Sequence, residues 1–454
     1  MYDPLVHAFP KKTQSDPDSY WLKVSGRDPE DDGTVAGDFD VDVVIVGGGY
    51  TGLSAALALG RDHGIKATVL EARSSAWGCS GRNGSFARIS GGRVPWSSLV
   101  KIYGADVARA YFQELRQGLD TVRSLITDSG IECARQPDGV YKVATFGAHA
   151  DALRREEELY NTVLRYPARY VDKSGLRGVH EGPESHGALH LPDGFSLNPL
   201  ELARGLHRRA RSHGARIHTN SPVTDWITEG DWHRLVTPTG TIRARRVIVA
   251  TNGYTSSRLH ARLASRVLPV HSQIIVTSPM SDAQVEASLP SEKCMFDTRE
   301  LLFYYRRLPD NRLLFGGRSA ISGKDAAAPR HRQYLYEAMT RKFPALAGIS
   351  VDHWWGGWVA VTRNSLPFCY KVPGMTDVFT AGGYAGSGVS FSIHLGTKLA
   401  LMAAGRPFET GASFLAREPE RYPFASFIRL GQWMAYRWLH VKDAREAHQA
   451  RGDR

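Results

Sequence analysis

Residues 41–71 constrain this chain more tightly than any other stretch. Val41, Val43, Val44, Ile45 and Val46 form a nearly unbroken β-branched run, which predicts a strand buried on both faces of a parallel sheet. Gly47, Gly49 and Gly52 follow at GxGxxG spacing, a helix is predicted over 50–63 and a second strand over 67–70, and Glu71 closes the unit. The three glycines serve, in order, a tight turn, close approach of backbone to a pyrophosphate, and close packing of helix on strand. The helix N-terminus then faces the anion, an arrangement worth roughly 0.3–2 kcal/mol per charge. Glu71 is placed to accept hydrogen bonds from ribose hydroxyls and to repel a 2′-phosphate. The unit therefore predicts a dinucleotide with unphosphorylated ribose, against the alternative of a glycine-rich structural turn.

A chain of 454 residues exceeds one ordinary core, so a dinucleotide domain with a separate substrate domain is expected. The net charge of +11 is scattered, with only 204–216 and 243–246 locally basic, and no base-reading motif accompanies it. Nucleic acid is therefore not an expected partner. Cys79, Cys133, Cys294 and Cys369 show no metal-ligand spacing, which suits a reduced, cytoplasmic protein without a metal site. Residues 1–16 lack the basic-then-apolar pattern of a signal peptide. Glycines interrupt the apolar stretch Val41–Leu59, so no transmembrane segment is predicted.

The expected fold class is α/β, a Rossmann-like domain interleaved with an α+β substrate part built on antiparallel sheet. Short strands predicted at 216–219 and 246–250 return to the first sheet, whereas 270–277, 300–308 and 312–316 alternate like antiparallel strands. Helices are predicted near 107–128 and 151–164. These place an N-terminal arm at 1–38 and the dinucleotide-binding domain at 39–100, 190–262 and 355–410. The substrate domain takes 101–189 and 263–354, and a helical extension takes 411–454.

Several further motifs, in order along nearly the whole chain, resemble the D-amino-acid oxidase superfamily of flavoproteins, in its γ-glutamylputrescine oxidase-like branch. They are GGGYTGLSAA, WGCSGRNGS (Trp77–Ser85), RVIVATNGY (Arg246–Tyr254), YYRRLPDNRLLFGGR (Tyr304–Arg318), WWGGWVAVTRNSLPF (Trp354–Phe368) and AGGYAGSGVSFS (Ala381–Ser392). The resemblance implies FAD, bound noncovalently, and the absence of a second GxGxxG agrees with electrons coming directly from substrate. Expected cofactor contacts in the fingerprint are Gly47, Gly49, Tyr50, Thr51, Gly52, Glu71, Ala72 and Arg73. Ser80, Arg82, Asn83, Gly84 and Ser85 are expected from the second motif, and Val223 beside adenine. Thr251, Asn252 and Gly253 belong to the RVIVATNGY turn. Gly383, Tyr384, Gly386, Gly388, Val389 and Ser390 open a helix whose positive end would face the flavin.

The resemblance implies oxidation of a carbon–nitrogen bond by hydride transfer to flavin N5, giving an imine that hydrolyses. A small amine or γ-glutamylated amine is the expected substrate and O2 the expected acceptor. The alternatives are an N-methyl or D-amino-acid dehydrogenase feeding a quinone, or a flavoprotein without turnover. Expected pocket walls are Tyr304, Tyr305, Trp355, Trp358 and Tyr384, since electron-rich rings can hold an amine, with His271 to orient or deprotonate it. Where oxidases of free α-amino acids place an arginine, this chain has Val359, with Arg363 four residues on. Where sarcosine oxidases use a lysine toward oxygen, an apolar residue near Phe315 stands. Cys79 lies in the flavin-proximal motif, and an inert buried thiol is expected there. Phe424, Phe427, Ile428, Gly431, Met434, Ala435, Trp438 and Val441 at helical spacing predict a helix packed on the body, or, with Arg429, Arg437 and Lys442, one lying on a membrane surface.

Overall fold

A computed structural model describes residues 1–11, 13, 14, 16–423 and 427–452. The β-branched run forms the strand Phe39–Val46, whose last four residues are buried, as a strand covered on both faces requires. It runs parallel to Ala67–Leu70 on one side and to Gly240–Val249 on the other. Arg216–His218 extends the first flank, and Val378–Gly382 followed by Phe368–Lys371 extends the second. The two short strands predicted downstream thus return to this sheet, which is assembled from four separated stretches of chain. A hairpin, Asp225–Glu229 with Trp232–Thr237, attaches to Gly240–Val249.

The second sheet has the order Val351–Val361, Leu268–Thr277, Leu313–Arg318, Tyr304–Arg307, Cys294–Asp297, Val140–Val143, Ala188–Leu191 and Arg169–Val171. Its pairings are antiparallel except for Cys294–Asp297 against Val140–Val143, which is parallel. The strand expected over 300–308 begins only at Tyr304, because Asp297 Oδ1 accepts the Phe303 N–H at 2.9 Å and turns the intervening residues. The boundary expected between 354 and 355 falls inside the continuous strand Val351–Val361, which belongs to the second sheet.

Two helices matter most for the site. Tyr50–His63 follows the glycine loop, and Gly388–Ala403 lies against it, with Ser54 Oγ donating to the Ile393 carbonyl at 2.7 Å. A Cβ on Gly396 would lie 2.5 Å from the Thr51 carbonyl, so only glycine permits that approach. The helix Ala105–Asp128, expected with the substrate part, packs on Gly388–Ala403 instead, where His394 and Glu114 meet at 2.8 Å and Tyr111 meets Phe391 edge-on.

Both ends of the chain are tied to the body. Tyr2 is buried and stacks parallel on Tyr254, and its carbonyl accepts from Trp358 Nε1 at 2.9 Å. Asp3 accepts from Arg429 of the C-terminal helix Ile428–Gly452 at 2.7 Å. Met434, Trp438 and Val441 of that helix, and Phe427 just before it, are exposed rather than packed on the body, while Ile428 and Leu439 are half-buried. The helix's hydrogen bonds to the body come from Arg429, Lys442 and Asp443, and His440 packs edge-on against Tyr334. Phe424 lies outside the described residues. Among the described residues no helix is long and apolar enough to cross a membrane, and no group of metal-ligating side chains occurs.

Candidate cofactor and substrate site

The glycine loop leaves the first sheet with Gly47 at φ 110°, in the region that favours glycine. A Cβ there would lie 2.9 Å from the Ala250 carbonyl, and one on Gly52 only 1.9 Å from the Gly47 carbonyl. Gly52 is therefore a packing glycine behind the loop rather than a wall of the cleft. Glu71 accepts the Gly48 N–H at 2.7 Å through one carboxylate oxygen and the Arg73 N–H at 2.9 Å through the other. Burial raises its pKa against the opposing pull of those amides. Ser80 Oγ accepts the Tyr50 N–H at 2.9 Å, closing the 77–85 segment over the loop.

These elements enclose a cleft with about 1270 Å³ of empty space, part of it open to solvent. Gly47, Gly49, Tyr50 and Thr51 line it from the first helix start, and Glu71 and Ala72 from the second strand. Val223, Thr251 and Asn252 line it from the loops beyond the sheet, and Ser80 and Asn83 from the 77–85 segment. Tyr384, Gly386, Gly388 and Val389 line it from the second helix start. Neither helix start is capped by its own side chain, so two positive helix ends are directed at one space. Tyr384 Oη and Thr51 Oγ1 meet at 2.8 Å and join the two starts. A backbone-floored cradle, two helix ends and a half-buried carboxylate fit an extended, anionic dinucleotide such as FAD.

Other predicted contacts lie elsewhere. Arg73 turns outward, donating to the carbonyls of Lys11 and Gln14 at 2.9 and 2.8 Å, and so ties down the N-terminal arm. Gly253 packs against the strand carrying Val359, Gly383 donates to Asn252 Oδ1, and Ser390 Oγ donates to the Arg88 carbonyl. Arg82 is not turned to a diphosphate: its guanidinium donates to the carbonyls of Trp77, Gly78 and Gly356 and stacks on Trp77 at 4.3 Å. Conversely, Tyr2, Phe9 and Pro10 of the arm line the cleft, as do Tyr254 and Leu259, and sequence reasoning missed all of them. The arm carries no periodic signal, and only the folded chain shows where it comes to rest.

A second space of about 880 Å³ adjoins the first. Cys79, Asn83, Val359, Ala385, Gly386 and Val389 line both. Gly84, Ser85 and Tyr304 line the second only, with Tyr304 Oη 3.0 Å from Ser272 Oγ. Burial pushes the Tyr304 hydroxyl up to about 12 and the Cys79 thiol up to about 11, so both stay protonated at neutral pH. Trp358 and His271 line neither space. They pack on each other at 4.7 Å, and His271 is buried with both ring nitrogens unpartnered and its pKa lowered by burial to about 3. Tyr305 and Phe315 turn into the core beside each other, and Trp355 donates to the Arg82 carbonyl. Arg363 is at the surface, paired with Glu420, so it does not replace the arginine absent at Val359.

The comparisons with known proteins agree with this geometry. A family model described as DAO, FAD dependent oxidoreductase, matches residues 42–402. The chain is similar to gamma-glutamylputrescine oxidoreductase of Escherichia coli (strain K12), 32% identical over 358 residues that cover 79% of this chain and 82% of that protein. It is 31% identical to the probable oxidoreductase OrdL of Rhizobium meliloti (strain 1021), covering 88% of this chain and 92% of that protein. Among solved structures, glycine oxidase from Geobacillus kaustophilus superposes with a TM-score of 0.70 at 21% identity, covering 83% of this chain and 98% of that one.

Proposed function

Because this chain belongs to the DAO family of FAD-dependent oxidoreductases, which act on amines or amino acids, we propose that it oxidises the carbon–nitrogen bond of an amine seated in the second space, beside FAD held in the first. The observation that carries this reading is the shared wall: Val359, Ala385, Gly386 and Val389 face both spaces, so a ligand in one is in reach of a ligand in the other. FAD, when bound, supplies the acceptor for the hydride equivalent that leaves the carbon next to nitrogen.

The protein's own work is positioning and control of the amine's proton. The second space is lined by arginines and by no carboxylate. Like charge favours the uncharged amine, the form whose lone pair assists loss of hydride. Tyr304 keeps its proton and can donate to the amine or to an oxygen of the substrate. The Cys79 thiol, held protonated, is a poor nucleophile, which supports noncovalent FAD. The imine product then hydrolyses. O2 is the acceptor in this reading, as in an oxidase, and the four free cysteines are in keeping with a cytoplasmic location.

The test is anaerobic titration of the purified yellow protein with a panel of primary and secondary amines and amino acids, followed by reoxidation with O2 or a soluble quinone. Bleaching by an amine and rapid recovery with O2 are expected. A flavin left oxidised by every compound would sink the reading, and recovery with quinone alone would replace oxidase by dehydrogenase.

A further inference from the structure

Arg82, Arg88, Arg93 and Arg318 line the second space, and no aspartate or glutamate does. Arg82 is consumed by three carbonyls. The other three come from separate pieces of chain: the residue after the strand Phe86–Ala87, the turn before the helix Trp96–Tyr103, and the end of Leu313–Arg318. Arg88 stacks 4.2 Å from the Phe296 ring and reaches Ser387 Oγ at 3.5 Å. Arg93 donates to the Glu300 carbonyl, while the Glu300 carboxylate turns to Lys442. Arg318 Nη2 lies 3.4 Å from where a Cβ on Gly386 would sit, which sets its guanidinium at the junction of the two spaces. Among the described residues, none of the three is within ion-pair distance of a carboxylate.

Three half-buried guanidinium groups converge without an ion-paired carboxylate and repel one another, with Glu300 and Asp443 relieving only Arg93 from a distance. Burial lowers the pKa of Arg88 to about 10, with Arg93 adding to the fall, and lowers that of Arg93, where Arg318 repels. Such a cluster is stable in company with an anion, and the guanidinium fork matches a carboxylate bidentately. Ser272 pairs in register with both Arg318 and Gly357, the latter two residues before Val359, so a cation stands two strands away from Val359 in the same sheet.

We infer that the substrate is a net-anionic amine, an amino dicarboxylate, with Arg318 and Arg88 each engaging one carboxylate and Arg93 strengthening the field. A diamine, or a γ-glutamylated amine with its free α-ammonium, would bring positive charge to this cluster, and a monocarboxylate would leave a guanidinium unmatched. The assignment rests on the second space being the substrate site of the proposed oxidation.

The test uses the FAD-loaded protein at fixed ionic strength and reads flavin absorbance shifts on titration with glutarate, butyrate and putrescine, none of which needs turnover. Glutarate is expected to bind about tenfold or more tighter than butyrate, and putrescine to give no saturable shift. Arg318→Gln and Arg88→Gln should each weaken glutarate about tenfold while FAD is retained. Arg318→Lys, which keeps the charge, should lose less and guards against a folding artefact. Butyrate or putrescine binding as tightly as glutarate, or glutarate unaffected in both FAD-loaded glutamine variants, would overturn the dicarboxylate assignment. The oxidation reading fails separately, through an amine panel that never bleaches the flavin.

Discussion

Glu71 commits both carboxylate oxygens to backbone amides of its own loop, Gly48 and Arg73, which fixes its rotamer before any ligand arrives. Its remaining lone pairs are therefore presented in a set direction, so a ribose placed beside it would meet a preorganised acceptor rather than a flexible side chain. Replacing it by a cation removes that acceptor and two amide partners at once. Glu71→Arg is expected to weaken FAD retention by about tenfold or more, from the loss of charge-assisted hydrogen bonds. The ratio of flavin to protein absorbance after gel filtration measures this, and a fully yellow variant would contradict the placement of the ribose. At the same scale, Arg82 shows how a motif can mislead. An arginine in a glycine-rich, cofactor-proximal segment reads as a phosphate ligand, yet three carbonyls claim it once the chain folds.

Elements are held together in the substrate part by a buried ionic group. Lys342, at the end of the helix Pro329–Lys342, is completely buried, with its ammonium 3.1 Å from Asp297 and 3.2 Å from Glu184. The alignment is too poor for directed hydrogen bonds, so the attraction is Coulombic. Arg299 bridges the same two acids at 2.6 and 2.7 Å. Burial pushes the Glu184 carboxyl up, but Lys342 and Arg299 outweigh it and bring it down to about 2. Lys342→Met should leave a carboxylate undercompensated and cost about 3–5 kcal/mol, since breaking a buried pair strands a charge. The unfolding midpoint in denaturant measures it. A change below about 1 kcal/mol, the size of a surface pair, would mean that Arg299 alone neutralises both acids.

For the whole molecule, the acid limb of stability follows from histidines buried in the neutral state. His271 and His180 both have pKa values lowered to about 3, the first by burial and then Arg82, the second by burial and then Lys342. Unfolded, each binds a proton near pH 6.5. The folded state therefore binds fewer protons between about pH 3 and 6.5, and stability falls as pH drops through that window and is fully present above it. The two together give about 2.7 kcal/mol per pH unit below 6.5. His271→Phe should halve that histidine contribution, read as a shallower decline of the melting temperature between pH 7 and 5. An unchanged slope would show that His271 is reached by water in the folded protein.

The sequence by itself determined the strand, loop, helix and acid of residues 41–71, because period, glycine spacing and the closing carboxylate are local and each follows from backbone sterics. It also pointed to two strands that rejoin the first sheet, the short run at 216–219 and the β-branched end of Gly240–Val249, whereas Val378–Gly382 and Phe368–Lys371 came to it only in the folded chain. Only the tertiary structure decided which side chains face the two spaces. Tyr304 and Tyr305 are neighbours in one strand and point to opposite faces, one into the second space and the other into the core. Trp358 and His271, chemically suited to holding an amine, lie on the wrong face of their strands. Arg88 and Arg93 lie five residues apart, but Arg318 is far from both in sequence, and its meeting with them is a property of three dimensions alone.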